Sequence, residues 1–401
     1  MRVGVFISAD IKVGGGFQQQ LSVVKLLKSN PLKDIEYVFF VLSDDNKKFF
    51  DKIGINTIKI KFDSGILNIT RRTIARAVRK LLGFRVLYLG YIDNVIKSYD
   101  IDLAYFMSAV PYAMGLKNCP FIFTVWDQCH RDWPEFPEVS QKMEFEFRDF
   151  VYQMSCTKAV ATLVDSETAR KSLSFHYGVD LERIFTAPFF PDSDEEFSQE
   201  NVNISEFLAK YSLKKPFIFY PAQLWPHKNH AYILEALRIL KDKNIIIEAL
   251  FTGTNYGNGK FLKQLTEELG LTEQIHFAGF VDRKDIILFY KNALALVMPT
   301  YLGHTNIPPL EAFKYGCPVC YSDLPDLREQ VGDAAFLMDL ANPESLANIL
   351  TEILSDENKN IVQEKIKKGY DVLKNFSPEK YLAVLEEIFK KYAQTLKTHK
   401  R

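Results

Sequence analysis

One carboxylate stands alone among apolar residues in the second half of the chain. Glu311 lies within Ile307-Pro-Pro-Leu-Glu-Ala-Phe313. A carboxylate is a pure acceptor with two oxygens, so one glutamate can accept hydrogen bonds from both vicinal hydroxyls of a ribose. The alternative is an ordinary glutamate on a helix surface. The apolar neighbours favour a buried, paired side chain, and Glu311 is therefore a candidate ligand for a sugar hydroxyl pair.

The segment around Glu311 also suits an anion. Residues 293–298 are an apolar run typical of a buried strand, and a loop with Gly303, His304, Thr305 and Asn306 follows before the helix opens. A strand–loop–helix unit directs backbone N–H groups and a helix N-terminus at one point, which favours a phosphate. Taken alone, the segment fits an ordinary strand–helix crossover at least as well.

A lysine precedes another helix start in the same half. Residues 220–229 read YPAQLWPHKN, with Lys228 directly before Asn229, the predicted helix cap. A fixed positive charge beside the free N–H groups of a helix suits a diphosphate. A solvated surface lysine is the alternative.

The first half contains two loops of chemical interest. Gly14, Gly15 and Gly16 follow a predicted first strand and precede a helix, which is typical of a nucleotide-binding α/β unit. The glycines do not form G-x-G-x-x-G, and a turn that needs positive φ explains them equally well. Residues 124–139, TVWDQCHRDWPEFPEV, are polar and broken by prolines, which indicates a loop leaving the carboxyl end of a strand.

Composition excludes several classes of protein. Lys+Arg and Asp+Glu both count 50 in 401 residues, and this balance argues against wholesale nucleic-acid binding. A zinc site would need two pairs of ligands at comparable spacing, and the five cysteines do not supply a second pair. Their odd number is typical of reduced thiols in the cytoplasm. The first residues indicate a strand rather than a signal peptide, and no apolar run is long enough to span a bilayer.

A basic segment in the first half suggests a membrane surface. Apolar residues at helical spacing alternate there with Arg71, Arg72, Arg76, Arg79, Lys80 and Arg85. An amphipathic basic helix from Arg71 to Arg85 would bind an anionic leaflet or an anionic lipid-linked acceptor. A solvated face over the core is an equally good interpretation. The expected location is the cytoplasm. If the basic segment binds the membrane, the protein would be attached peripherally to the inner face of the plasma membrane.

Strands alternate with helices twice along the chain, and a polar stretch at residues 192–212 separates the two series. This pattern predicts two doubly wound parallel sheets. The predicted domains are residues 1–195, residues 196–376 and a last helix at residues 377–401 that returns to the first domain. Two such domains joined by a linker are expected to form a cleft for ligands.

Several motifs together resemble one enzyme family. They are Lys228-Asn229, Phe277-Ala-Gly-Phe-Val281, Ile307-Pro-Pro-Leu-Glu-Ala-Phe313 and Tyr315-Gly-Cys-Pro-Val319, with Trp126–Glu135 and Val164-Asp-Ser-Glu-Thr168 in the first half. In order and spacing they resemble the retaining glycosyltransferases of family 4, also called glycosyl transferases group 1, which have the GT-B fold of two Rossmann-like domains. The resemblance spans nearly the whole chain.

The resemblance implies a sugar donor carried by a UDP, GDP or dTDP group and bound mainly by the second domain, with a glycan or lipid-linked acceptor at the first. Lys228 matches the family's diphosphate-binding lysine and Glu311 its ribose-binding glutamate. The remaining donor-binding residues would be Gly15, Gly16, Gln223, Phe280, Val281, Gly303, His304, Thr305 and Asn306. No metal or other cofactor is expected.

Three positions depart from the family pattern. The family's glutamate eight residues before the ribose glutamate is Gly303 here, and the arginine five residues before the lysine is Gln223. The first-domain His-Asp pair reads Trp126-Asp127, with His130 three residues on. His130 and Asp127 are the candidate catalytic residues, expected to position donor or acceptor hydroxyls during a front-face transfer.

The sequence thus predicts a hexosyltransferase, such as a mannosyltransferase, for surface polysaccharide (O-antigen, capsule or lipopolysaccharide). The departures support an alternative, a non-catalytic subunit that binds a sugar nucleotide or a partner protein. A GT-B epimerase or sugar phosphorylase ranks below both.

Overall fold

The apolar strand runs of the sequence form two separate parallel sheets in a computed structural model of the chain. The structure describes residues 1–11, 15–60, 91–192, 202–214 and 216–398. These residues divide into two units. Unit 1 comprises residues 1–189 together with the C-terminal residues from 378 onward, and unit 2 comprises residues 190–377.

In unit 1 the described residues form a seven-stranded sheet in the order β3-β2-β1-β4-β5-β6-β7, and every pairing is parallel. The central strands are continuous apolar runs because helices cover both of their faces. The strands are β1 Arg2–Ile7, β2 Glu36–Val41, β3 Thr57–Lys59, β4 Leu103–Phe106, β5 Phe121–Thr124, β6 Ala161–Val164 and β7 Ile184–Thr186.

Helices connect these strands, as a parallel sheet requires. They are α1 Gly15–Ser29, α2 Asp44–Lys52, α3 Tyr91–Ser98, α4 Cys129–Asp132, α5 Pro137–Ser140, α6 Glu144–Cys156 and α7 Glu167–Tyr177. Ser166 caps α7, because its side chain accepts a hydrogen bond from the Ala169 N–H.

The last helix, α16 (Pro378–Leu396), belongs to unit 1 although it follows unit 2 in the sequence. Its buried face carries Leu385, Ile388 and Phe389. The Tyr381 and Tyr105 hydroxyls are hydrogen-bonded at 2.6 Å in the interior. Helix α16 is therefore part of the unit 1 core.

Unit 2 repeats the architecture. Its described residues form a six-stranded parallel sheet in the order β10-β9-β8-β11-β12-β13. The strand order reverses between β8 and β11, and the carboxyl ends flanking such a switch point are the usual ligand site of a doubly wound sheet. The strands are β8 Phe217–Pro221, β9 Glu248–Thr252, β10 Ile275–Gly279, β11 Ala295–Met298, β12 Val319–Ser322 and β13 Phe336–Met338.

The helices of unit 2 are α8 Ile204–Lys210, α9 His230–Asp242, α10 Gly259–Glu268, α11 Arg283–Asn292, α12 Ile307–Lys314, α13 Pro325–Val331, α14 Pro343–Leu354 and α15 Lys359–Leu373. The sequence predicts a polar linker at residues 192–212, and part of this stretch forms α8. Asn203 caps that helix through its side-chain oxygen, which accepts from the N–H groups of Ser205 and Glu206.

The predicted doubly wound α/β class is confirmed in both units. All five cysteines lie in the described segments and are buried thiols. The basic segment at residues 71–85 lies outside the described residues. Among the helices that the structure describes, none is long and apolar enough to cross a membrane.

Candidate functional site

The loop after β8 carries Lys228 at the switch point of unit 2. A 3₁₀ turn, Pro226–Lys228, leads to Asn229, whose φ is +54°. Asparagine tolerates this left-handed conformation better than most residues. The sequence predicts Asn229 as a helix cap, but in the described structure its side chain makes no capping hydrogen bond to α9. The residue serves to reverse the chain direction between the turn and the helix.

Hydrogen bonds hold the Lys228 turn against the loop that follows β11. The Tyr220 hydroxyl donates to the Lys228 carbonyl (3.0 Å), and the Tyr301 N–H donates to the His227 carbonyl (3.0 Å). The Lys228 Nζ lies 3.5 Å from Thr300 Oγ1. The ammonium group is therefore located where the carboxyl ends of β8 and β11 meet.

His230 packs directly behind this turn. It is the first residue of α9, and its fully buried ring lies 4.7 Å from the Tyr220 ring and 5.0 Å from the Phe251 ring between centroids. Burial, with the nearby charge of Lys228, lowers the pKa of His230 to about 3. The ring is therefore neutral at physiological pH.

Glu311 is buried and paired, as the sequence predicts. It lies on α12, which opens with two prolines, and its side chain is only 12% exposed. The Arg283 guanidinium donates to Oε1, and the Tyr290 hydroxyl donates to Oε2 at 3.0 Å. Each carboxylate oxygen has further lone pairs, so the pair orients Glu311 and leaves acceptor capacity for a ligand hydroxyl. Sequence reasoning missed Arg283, whose only signal is its position at the start of α11.

In the loop between β11 and α12, the backbone at Gly303 passes close to the Asn306 side chain. The φ of Gly303 is +98°, and a Cβ there would lie 3.1 Å from the Asn306 amide nitrogen. His304 and Thr305 are buried, and His304 Nε2 lies 3.6 Å from the Asp326 carboxylate. The loop thus places backbone groups, rather than a carboxylate side chain, at the position where the family pattern has glutamate.

A cavity of ≈ 670 Å³ opens beside Phe280, at the carboxyl ends of β9 and β10. Phe280 is 74% exposed at its rim, and Val281 is partly buried. The lining is mostly apolar and includes Leu224, Phe251, Gly253, Asn255, Phe277 and Phe280. Leu224 precedes the turn that carries Lys228, and Phe280 precedes Arg283, which pairs with Glu311. The cavity therefore lies next to both of these segments.

Gln223 is engaged by its own loop. Its side-chain oxygen accepts from Trp225 Nε1 at 3.0 Å, and the Trp225 ring stacks on Tyr256 at 4.6 Å and 15°. The side chain that replaces the family's arginine therefore helps to fix the loop between β8 and α9.

In unit 1, Gly16 contacts the Trp126 ring. A Cβ on Gly16 would lie 2.8 Å from that ring, so glycine permits the close approach. Gly15 opens α1 and is exposed, and Gly14 lies outside the described residues. The structure thus brings Gly16 and Trp126 into contact.

Asp127 is held as a carboxylate. Arg148 donates to its Oδ1, and the Cys129 N–H donates to the same oxygen at 3.1 Å. Burial would raise the pKa of Asp127, but the Arg148 charge outweighs it and holds that pKa well below the usual range. The Tyr152 hydroxyl also donates to the Asp127 carbonyl (2.9 Å).

His130 is fully buried beneath this loop. The Tyr177 hydroxyl donates to Asp149 (3.0 Å), which leaves its oxygen to accept from His130 Nε2 at 3.0 Å. Burial, with the nearby Arg148 charge, lowers the pKa of His130 to about 4. The imidazole is neutral and has no exposed surface, so any catalytic part it plays would act through its neighbours. Its role stays a prediction.

The structure thus groups the candidate residues by unit. In unit 2, Lys228 lies beside Thr300 at the switch point, Gly303 and Glu311 follow in the loop and helix after β11, and Phe280 lies beside the cavity. In the described part of the chain, no three His, Cys, Asp or Glu side chains are grouped so as to hold a metal ion.

Part of unit 2 matches a known protein family. Residues 204–370 match the family of glycosyl transferases group 1. The matched region contains Lys228, Gly303 and Glu311, and His130 and Asp127 lie outside it.

The curated relatives include two O-antigen chain mannosyltransferases. The O-antigen chain mannosyltransferase RfbU of Salmonella typhimurium is 28% identical over 214 residues, which is 53% of this chain and 55% of the relative. The O-antigen chain mannosyltransferase B of Escherichia coli is 24% identical over 224 residues, 55% of this chain and 58% of the relative. The chain therefore spans just over half the length of these relatives.

Solved structures share the fold over almost the full chain. A glycosyltransferase from Rickettsia africae superposes with a TM-score of 0.70 at 18% identity, covering 97% of this chain and 98% of that one. Anabaena HepE in complex with UDP-glucose gives 0.70 at 15% identity, covering 98% and 100%. The fold is the two-domain α/β architecture of the GT-B glycosyltransferases.

Proposed function

We propose that this chain is a glycosyltransferase that moves a hexose from a nucleoside diphosphate to a glycan or lipid-linked acceptor in surface polysaccharide synthesis. Two observations support this proposal: Lys228 lies beside Thr300 at the switch point of unit 2, and Glu311 is buried and oriented by Arg283 and Tyr290. Lys228 and Glu311 both lie inside the region that matches the glycosyltransferase family. The names of the relatives, O-antigen chain mannosyltransferases, support the acceptor class.

The donor would lie along the switch point. Glu311 would accept from the ribose hydroxyls, since Arg283 and Tyr290 already orient its two oxygens. The cavity beside Phe280 would take the base, because its apolar lining suits a flat ring. The UDP bound to HepE, which shares the fold, is compatible with this class of donor. UDP-, GDP- and dTDP-sugars are all candidates.

Transfer requires that the departing diphosphate be stabilised as its charge develops. Lys228 would do this together with the free N–H groups at the start of α9. We propose that the acceptor attacks the face that the leaving group vacates, which retains the anomeric configuration. We also propose that no metal is required, since Lys228 supplies the positive charge.

In unit 1 we propose that Asp127 contacts a substrate hydroxyl, because its side chain is 32% exposed and Arg148 fixes it as an acceptor. His130 would be a positioning residue, since its Nε2–H fixes Tyr177 and through it Asp149 and Arg131. Attachment to an anionic membrane through residues 71–85 remains part of this proposal, and so does a cytoplasmic location.

The test is a screen of nucleotide sugars against wild type, Lys228→Ala and Glu311→Ala, with binding and turnover measured separately. We expect each substitution to weaken nucleotide binding at least about 10-fold, since each removes a charge-assisted contact. Lys241→Ala, a cation on the same unit whose Nζ donates to the Gly270 carbonyl (2.5 Å), is the matched control. Turnover should be unchanged in EDTA. If both site variants bind as wild type does, the assignment is wrong.

A second candidate, a sugar-nucleotide-binding subunit without turnover, is favoured by two observations. Gly303 provides no carboxylate, and His130 has no exposed surface. Binding of a nucleotide sugar without transfer or hydrolysis across a broad acceptor panel would select it over the enzyme.

A further inference from the structure

The Gly303–Asn306 loop is fixed from outside by Gln330. This residue lies on α13 and is only 3% exposed. Its Nε2 donates to the Asn306 carbonyl at 2.6 Å, and its Oε1 accepts from the Asn306 N–H at 3.0 Å. One side-chain amide thus pairs with both backbone groups of a single residue, as a neighbouring strand would. The conformation of Asn306 is set by this pair.

Tyr321 closes the network. It lies in β12, is fully buried, and its hydroxyl donates to Gln330 Oε1 at 3.1 Å. The same hydroxyl accepts from Asn306 Nδ2 at 2.7 Å. Asn306 Nδ2 also donates to the Gly303 carbonyl at 3.3 Å. The Asn306 amide therefore links Tyr321 to the start of its own loop.

The neighbouring residue holds the other end of this segment. The Ser322 hydroxyl, buried at the end of β12, donates to the Thr300 carbonyl at 2.7 Å. Thr300 is the residue whose hydroxyl faces the Lys228 ammonium. Strand β12 and helix α13 thus fix the loop at residue 300 and at residue 306.

We propose that Gln330 and Tyr321 are positioning residues that set the geometry of the Gly303–Asn306 loop for the sugar of the donor. The inference rests on the proposed function and deepens it. Because residue 303 has no side chain, contacts to the sugar must come from backbone groups and from His304, Thr305 and Asn306. Their placement depends on the Gln330–Asn306 pair. Neither Gln330 nor Tyr321 touches the substrate, so both act through Asn306.

Two substitutions test this. Gln330→Met keeps the size of the side chain and removes both hydrogen bonds to Asn306, and Tyr321→Phe removes the hydroxyl alone. Gln274→Met and Tyr232→Phe are matched controls, since Gln274 Nε2 donates to the Ile247 carbonyl (3.0 Å) and the Tyr232 hydroxyl to the Asp339 carbonyl (2.9 Å). Both control side chains are buried in unit 2, and these hydrogen-bond partners lie outside the Gly303–Asn306 loop.

The readout is the full-length protein's kcat/KM with the nucleotide sugar, set against its affinity for the corresponding nucleoside diphosphate, which has no sugar. We expect kcat/KM to fall about 10- to 100-fold in both loop variants, since a displacement near 1 Å costs about that much. Diphosphate affinity should stay at the wild-type value. Gln330→Glu keeps an acceptor for the Asn306 N–H but places a carboxylate oxygen against the Asn306 carbonyl, so its rate should fall at least as far as that of Gln330→Met.

Three outcomes contradict these claims in distinguishable ways. Equal losses of diphosphate affinity and of kcat/KM would show a merely structural role and overturn the inference. Loop variants that behave like the Gln274 and Tyr232 controls would also overturn it. A wild-type protein that binds no nucleotide sugar would instead overturn the proposed function, and the inference with it. If Gln330→Met does not fold, Tyr321→Phe decides.

Discussion

At the scale of single residues, Gly303 shows why the family's glutamate cannot simply be restored. Its φ of +98° is a conformation that residues with a Cβ rarely adopt, and the Asn306 amide occupies the space a Cβ would need. We expect Gly303→Glu to lower donor turnover at least about 10-fold rather than raise it, because the loop must shift by a distance that positioning does not tolerate. Initial rates with the preferred donor measure this.

Gly303→Ala is the control for that substitution. It introduces the backbone strain and the Cβ without the carboxylate, so it should account for most of the loss. If Gly303→Glu turned over the donor faster than wild type, the loop would be shown to adapt. The lack of a carboxylate at residue 303 would then be what limits the wild-type rate.

Two buried histidines predict sensitivity to acid. The folded-state pKa is about 4 for His130 and about 3 for His230, against 6.5 in the unfolded chain. Below pH 6.5 the unfolded chain binds protons that the native state does not, so the free energy of unfolding falls as the pH drops from 6.5 towards 4. At about 1.4 kcal/mol per pKa unit, each histidine lowers the free energy of unfolding by roughly 3 kcal/mol at pH 4.

Urea denaturation at several pH values between 7 and 4.5 measures the effect. His230→Phe keeps a ring against Tyr220 and Phe251 and should make the pH dependence shallower. Asp127 acts in the same direction at lower pH, since its depressed folded-state pKa gives stability that is lost as the carboxylate is protonated. If His230→Phe leaves the slope of the unfolding free energy against pH unchanged, His230 is not a source of the acid sensitivity.

Sequence reasoning identified Glu311 as buried and paired but could not find Arg283 or Tyr290. A carboxylate among apolar residues carries its own signal, whereas its partners come from a different helix, and only the folded chain brings them close. The same holds for Gln330 and Asn306, which are 24 residues apart. Pairings between elements have no local pattern to detect.

At the scale of elements, the alternation of apolar runs and amphipathic helices was enough to predict both sheets, because parallel strands buried on both faces are continuous apolar runs. Helix α8 was missed because its polar surroundings hide a short apolar face formed by Phe207 and Leu208. Asn229 occupies the predicted N-cap position, but its side chain makes no capping hydrogen bond, since sequence shows residue type and not φ.

Helix α16 supplies a test at this scale. Leu385 is fully buried in unit 1. We expect Leu385→Ala to lower the free energy of unfolding by about 2–5 kcal/mol, from lost apolar burial and a residual cavity. Lys390→Ala, an exposed position on the same helix, is the control and should leave stability unchanged. Denaturant titration followed by circular dichroism measures both, and equal effects would show that α16 does not contribute to the core.

At the scale of the whole molecule, the order of the chain differs from the order of its units. Unit 2 occupies residues 190–377 without interruption, whereas unit 1 needs residues from both sides of it. During synthesis the ribosome delivers the first 189 residues long before Tyr381 exists to bond with Tyr105. The apolar surface of unit 1 that α16 buries therefore stays uncovered while unit 2 is synthesised and folds. A polypeptide released early near residue 377 would carry a complete unit 2 beside an incomplete unit 1, which makes such fragments substrates for chaperones and proteases.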